Sequence, residues 1–364
     1  MTPAPIVVSR SAIVTRKLCE AKRYYNYHLP HPDVPPTAQV GGIVPTQDRD
    51  ASHLAKTRGI WLHGCMEQLL KGHDWQAWLT TETNAARMAS TLQHGDTTRV
   101  DEQITLVRRA VIGWVKQRGH LLDLYTPISA EEEWTWSMDP LVAQTLRLDQ
   151  IWRHKETDQI LIVDFKTLGR PDLNWVDRLR NADQTHLYIQ ALEDRTGERI
   201  EGIQYEGIVI GKFDATLGMQ KSTFTGGYGQ AASLRTTLSP KWKARATWES
   251  NTAWTDDEWL QWADATGVLM ENYITTGALH PPKAQLEQTK AATVRAEIEW
   301  ADKMARIEEN PALLPMLVER TADACLKFGA GYACPYVDLC WNGAQPDLES
   351  FDARIDHHAV KEEE

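Results

Sequence analysis

No uninterrupted apolar run in this sequence reaches the roughly 18 residues that a bilayer crossing requires. The opening stretch, Met1-Thr-Pro-Ala-Pro-Ile-Val-Val-Ser-Arg10, also lacks the charged start and long apolar segment of a secretory signal, so a cytoplasmic setting is expected. Cysteine is sparse, at five residues in 364. That is no disulfide framework for a cytosolic chain of this length, and cysteines that converge in such a chain point to metal or cluster ligation. Basic charge is in deficit: 39 Lys and Arg stand against 50 Asp and Glu, for a formal net charge of −11. This counts against a generic nucleic-acid coat protein, yet it is compatible with an enzyme acting on nucleic acid, because only a local groove need be basic.

What is present is a globular composition, 42% hydrophobic and 24% charged. A chain this long can bury a full core, as one large domain or two modest ones. Tryptophan is abundant at 15 residues; most are expected in the core, and exposed ones can stack on bases.

The most informative stretch runs from Leu146 to Thr167. Leu146-Arg-Leu-Asp149 and Ile160-Leu-Ile-Val-Asp-Phe-Lys-Thr167 are β-rich runs separated by the turn-type residues His154-Lys-Glu-Thr-Asp158, which predicts a hairpin. Side chains two apart in a strand share a face. Leu161, Val163 and Phe165 therefore form an apolar face, while Asp164 and Lys166 stand side by side on the other. Asp149 on the partner strand can point at the same spot. Two carboxylates and an amine converging there suit a hard divalent cation and an activated water.

Around this hairpin the pattern is mixed. A basic, aromatic helix is predicted from Ser9 to Tyr27, capped by Ser11 and carrying Cys19. A Pro- and Gly-rich loop follows to Ala51, then a helix from Lys56 to Lys71 with Gly59, His63 and a core Cys65. Asn84 to Gly119 reads as helical. Tyr125 to Trp136 reads as a strand whose Glu131-Glu132-Glu133 run forms a solvated edge. Beyond the hairpin come a helix from Ala182 to Arg195, stopped near Gly197, and a strand from Glu201 to Lys212. The strand–helix–strand order marks a mixed α/β sheet. In the loop from Lys221 to Trp248, the residues Arg235, Lys241, Lys243 and Arg245 interleave with Trp242 and Trp248, a pattern that can follow a phosphate backbone. A helix from Trp254 to Tyr273 is ended by Thr275-Thr276-Gly277. A long charged helix from Lys283 to Glu309, with sparse apolar positions at Val294, Ile298, Met304 and Ile307, is expected to be either solvent-exposed or packed along one seam. Cys325, Cys334 and Cys340 lie in a loop, and the polar tail after Asp347 is expected to be disordered.

In this order the motifs resemble the RecB-type branch of the PD-(D/E)XK nucleases, specifically its iron–sulfur members, CRISPR-associated and phage-encoded exonucleases with one early and three late cysteines. Gly59 and His63 match the G-x-x-x-H helix. Asp149 matches the first hairpin acid, and Asp164-Phe165-Lys166 the D/E-x-K. Gln184 and Tyr188 match the Q-x-x-x-Y helix, and Cys19, Cys325, Cys334 and Cys340 the split cluster ligands. The resemblance spans about residues 9 to 342. It departs in lacking a Gly three residues before Asp149, in the wide gap from Cys325 to Cys334, and in the long charged helix inserted before the cysteine loop.

The resemblance implies a mixed central β-sheet flanked by helices, a restriction-endonuclease-like core with helical N- and C-terminal additions joined by a cluster. The expected organisation is an N-terminal helix and loop (1–55), the nuclease core (56–275), a helical insertion with the cysteine loop (276–346) and an acidic tail (347–364). It implies Mg²⁺ or Mn²⁺ held by Asp149, Asp164, the Phe165 carbonyl and His63, with Lys166 orienting or deprotonating the water. Gln184 and Tyr188 would order the site and touch the DNA backbone. The four cysteines would hold a 4Fe–4S cluster, a Cys₄ zinc site being the alternative. The implied activity is a DNA exonuclease acting on single strands or ends in recombination, repair or phage replication. Two other readings are a non-catalytic DNA-binding scaffold subunit and a CRISPR adaptation nuclease that trims DNA before integration.

Overall fold

The structure, a computed structural model, describes residues 5–29, 43–45, 51–94, 97–168, 174–209, 255–265, 269–270, 273–321, 334–342 and 351–353. Cys325, the basic stretch carrying Arg235, Lys241, Lys243 and Arg245, and most of the acidic tail lie outside the described residues. No described helix is long and apolar enough to cross a membrane.

The strands are β1 (Ile6–Ser9), β2 (Ile43–Pro45), β3 (Tyr125–Asp139), β4 (Val142–His154), β5 (Ile160–Leu168), β6 (Gly202–Val209), β7 (Tyr273–Leu279) and β8 (Phe351–Ala353). Six of them form a mixed sheet in the order β1-β4-β5-β6-β7, with β3 also paired to β4. β4 and β5 are antiparallel, β5 and β6 parallel, and β6 and β7 antiparallel. The helices are α1 (Arg10–Leu18), α2 (Glu20–Tyr27), α3 (Ala51–Leu70), α4 (Trp75–His94), α5 (Thr98–Arg118), α6 (Leu121–Leu124), α7 (Trp175–Arg180), α8 (Asp183–Thr196), α9 (Asp256–Ala265), α10 (Lys283–Glu309), α11 (Leu314–Leu317) and α12 (Val337–Asn342). This is the mixed α/β architecture, a sheet flanked by helices, of a restriction-endonuclease-like fold.

The chain forms two compact units: Leu54–Glu133 with Arg147–Leu286, and Met1–His53 with Trp134–Leu146 and Glu287–Glu364. In the first, the odd face of β5 builds the core. Leu161, Val163 and Phe165 pack with Trp61, Trp114, Trp152, Val107 and Val111 of the neighbouring elements. Trp114 meets Phe165 edge-on at 5.7 Å and Trp152 at 6.4 Å, the geometry aromatic quadrupoles prefer. The opposite face of β5 grades from apolar to polar. Ile160, Ile162 and Asp164 are all buried and Lys166 is half-buried, so the strand carries its charged pair to the place where that face opens.

The unit of Met1–His53, Trp134–Leu146 and Glu287–Glu364 has a smaller core. Cys19, Tyr25, Ile43, Trp300, Met304, Ile307, Tyr336, Cys340 and Phe351 are buried together. Tyr336 stacks between Tyr25 and Phe351 at 5.5 and 5.7 Å. Helix α10 does pack along one seam, but Thr293, Glu297 and Trp300 line it beside Met304 and Ile307, while Ile298 faces solvent. Glu297 is fully buried because Arg23 grips it with two bonds of 2.7 and 3.0 Å and Arg16 adds a third at 3.2 Å.

Four elements differ from the sequence reading. Tyr273–Leu279 is a strand rather than the end of a helix, favoured by β-branched Ile274, Thr275 and Thr276. Its Tyr273 hydroxyl donates to the Ala110 carbonyl at 2.9 Å. Gly113 makes room for it, since a Cβ there would lie 2.2 Å from that oxygen. Ser9, not Ser11, caps α1, accepting the Ala12 N–H. Ile6–Ser9 is a strand parallel to β4. Phe351–Ala353, inside the polar tail, pairs with Ile43–Pro45.

Candidate active site

The site is built on the hairpin. Gln150 pairs with Val163, and one further step of that register sets Asp149 across from Asp164. Asp149 Oδ2 accepts the Phe165 N–H at 2.8 Å, so the backbone of one strand aims the acid of the other. Asp164 is buried. Its Oδ1 accepts Gln184 Nε2 at 2.8 Å, and its Oδ2 is ion-paired with Lys166. The Lys166 ammonium also lies 5.6 Å from the centre of the Tyr205 ring, on the adjacent strand.

His63 reaches the hairpin from α3. Its Nδ1 lies 3.3 Å from Asp149 Oδ2 and 3.5 Å from Glu131 Oε1. Glu131 is thus no solvated edge. It sits at φ 53° in the middle of β3, a left-handed conformation that costs a non-glycine residue about 1 kcal/mol or more. The kink breaks the strand's alternation. Glu131 turns to His63 and Arg147, whereas Glu132 turns to Ser129 and Arg195. Arg147, two residues before Asp149 on the same face of β4, holds Glu131 Oε2 at 2.5 Å and is itself exposed.

The charges act strongly on one another. Burial alone pulls the His63 imidazole down, but the charges and hydrogen bonds of Asp149 and Glu131 carry it up to about 10. Burial pushes Asp149 up; His63, Lys166 and the Phe165 amide outweigh it and hold the acid below the usual carboxylate range. Asp164 goes the other way, raised by burial and then by the Asp149 charge, with Lys166 opposing. Both shifts follow from what each acid faces, cations at Asp149 and burial beside a like charge at Asp164, and such groups are candidates for a functional site.

Among the described residues, His63, Glu131 and Asp149 are the one group of three or more His, Cys, Asp or Glu side chains whose ligand atoms all lie within 4.8 Å of one another. A hard divalent cation takes oxygen donors at about 2.1–2.5 Å and tolerates an imidazole, so this donor set fits one. Gln184 and Tyr188 share a face of α8, and both are buried. Gln184 holds Asp164, and the Tyr188 hydroxyl donates to the Arg147 carbonyl at 3.2 Å, so each braces one strand of the hairpin. Sequence reasoning missed Glu131, Arg147 and Tyr205. Arg147 was legible from its parity with Asp149; Glu131 was not, because it stands within a run of three glutamates that reads as solvated.

Of the cysteines, Cys19 and Cys340 are buried in one apolar cluster and Cys334 packs against it. Cys65 is in the other core, where burial pushes its thiol up to about 12 and leaves it inert. No curated protein matches the chain. A family model described as PD-(D/E)XK nuclease superfamily matches residues 8–340.

Proposed function

We propose a function from this premise: the chain belongs to the PD-(D/E)XK nuclease superfamily and is a metal-dependent nuclease. Its reading here is a DNA exonuclease, acting on single strands or ends, in recombination, repair or phage DNA metabolism. The observation that carries the reading is the meeting of Asp149, Asp164, Lys166 and His63 at one place on the hairpin. An isolated D-x-K ion pair on a strand would have neither a second carboxylate opposite nor an imidazole above it.

His63, Asp149 and Asp164, with the Phe165 carbonyl, would hold Mg²⁺ or Mn²⁺. Such an ion supplies a Lewis acid for a phosphoryl oxygen and lowers the pKa of a water. The chain's own residues do the positioning. Lys166, fixed between Asp164 and the Tyr205 ring, offers an ammonium to orient the attacking water and offset charge on the phosphate. Gln184 keeps Asp164 in one rotamer, and Tyr188 ties down the strand that carries Arg147 and Asp149.

The reading extends to a 4Fe–4S cluster on Cys19, Cys325, Cys334 and Cys340, supported by the shared apolar cluster of the three described cysteines. Ligands near both ends of the chain would tie those ends together, in the way a cross-link removes loop entropy from the unfolded state. A brown protein whose broad visible absorption Cys334→Ser bleaches is the expected result; a colourless, zinc-containing protein rejects the cluster.

The test of the nuclease reading is cleavage of end-labelled single- and double-stranded DNA with Mg²⁺ or Mn²⁺. Asp164→Ala and Lys166→Ala are each expected to lower the rate by about 10³-fold or more while DNA binding persists. Full activity in both variants rejects the site.

A further inference from the structure

Resting on the nuclease reading, we propose that Glu131 is an additional protein ligand of the divalent cation. Arg147, its present partner, is then the side chain that receives a phosphate of the bound strand. The two roles are linked: Glu131 turning from Arg147 to the cation frees the guanidinium for the substrate.

Three observations carry this. First, Glu131 Oε1 belongs to the same cluster of ligand atoms as His63 and Asp149, all within 4.8 Å. A divalent ion seated among those atoms would have the Glu131 carboxylate within reach, and that side chain is only 10% exposed. Second, the backbone at Glu131 is left-handed, at φ 53°, a conformation that costs a non-glycine residue about 1 kcal/mol or more and is held where this carboxylate meets His63. Third, Arg147 stands on the site face of β4, two residues from Asp149, and its side chain is 49% exposed. Its guanidinium is therefore at the rim, where a nucleic-acid backbone would pass. A planar guanidinium binds two oxygens of one group, so it can exchange a carboxylate for a phosphate with its geometry intact.

Ordinary alternatives account for less. A purely structural Glu131–Arg147 bridge at such an exposed arginine is worth little, and it would need neither the kinked backbone nor the approach to His63. In the absence of substrate the pair holds both members ready: Arg147 neutralises a carboxylate that would otherwise crowd Asp149, and Glu131 keeps a mobile arginine at the rim.

The experiment uses the full chain and two binding readouts that do not depend on turnover. Mn²⁺ affinity is measured by electron paramagnetic resonance for wild type, Glu131→Gln, Arg147→Ala and Asp149→Asn. DNA affinity is measured against salt with Mn²⁺ present, in a Lys166→Ala background that leaves DNA uncut. Glu131→Gln is expected to weaken Mn²⁺ binding by roughly tenfold or more. Arg147→Ala is expected to leave Mn²⁺ binding as tight or tighter, to weaken DNA binding, and to reduce the salt slope by about one. Equal weakening of Mn²⁺ by Glu131→Gln and Arg147→Ala makes the pair a structural bridge and overturns the proposal. So does an unchanged salt slope for Arg147→Ala. If Asp149→Asn weakens Mn²⁺ but Glu131→Gln does not, the proposal falls while the nuclease reading stands. If neither does, the metal site falls and the proposal falls with it.

Discussion

The two units hold their key residues in opposite ways. In the unit of Leu54–Glu133 and Arg147–Leu286, the functional groups are set by the register of a hairpin. Asp149 is aimed by a backbone amide, Asp164 by its place opposite, and Lys166 by lying two residues further on. The unit of Met1–His53, Trp134–Leu146 and Glu287–Glu364 instead gathers three distant segments of chain. It fixes them with side chains: a buried carboxylate shared by two arginines, a tryptophan bonded to a histidine, and a stack of rings. Local pairing makes a site that tolerates change away from the hairpin. Side-chain gathering makes a core in which one substitution leaves a buried charge alone.

The sharpest way to break that contrast is Glu297→Ala. It strands Arg23, 3% exposed, without its partner, and removal of one member of a buried pair costs about 3–5 kcal/mol. Chemical denaturation is expected to show an early transition for the cysteine-bearing unit while Mn²⁺ affinity at the hairpin is kept. A single coincident loss of both would erase the distinction between the units.

Acid gives the next largest effect. Burial and then the Arg23 charge hold His28 down at about 4 from an ordinary 6.5; its Nε2 accepts the Trp300 N–H at 3.0 Å. Between those values the unfolded chain takes up a proton that the folded one does not. Stability is therefore intact above about pH 6.5 and falls as the pH drops toward 4, by about 3 kcal/mol in full. When melting temperatures are compared between pH 7 and 4, His28→Gln is expected to lose that share of the acid dependence, the raised Asp164 contributing in the opposite direction over the same range.

In the unit that carries the hairpin the expected costs are smaller. A Cβ at Gly64 would lie 2.0 Å from the Trp78 ring, so Gly64→Ala forces that ring aside for about 1–3 kcal/mol, read as a lowered denaturation midpoint. Arg153 pairs with Asp158, which is largely exposed, at 3.0 Å, and Arg153→Ala is expected to cost under about 1 kcal/mol. A large loss there would mean that the hairpin turn is less self-sufficient than its neighbours suggest.

Much of the hairpin-bearing unit was legible in the sequence because its signals are local. A period of two, a turn of polar residues and a glycine at φ 72° after α8 predict the hairpin and the helix stop. What escaped was non-local. Tyr273–Leu279 looks like a helix end until the antiparallel strand beside it supplies a ladder. Glu131 looks solvated until the backbone kinks toward His63. The seam of α10 was partly misread because a glutamate lies at its centre, and nothing in the local pattern says that Arg23, far back in the chain, will neutralise it.

The bond from the Phe165 amide to Asp149 has one more consequence. Because the ligand is steered by main chain rather than by a side-chain partner, a strand slipped by a single residue turns Asp164 and Lys166 to the far face at the same time as it releases Asp149. Mispaired copies would therefore lack the cluster, so correct pairing of the hairpin and assembly of the candidate site are one event.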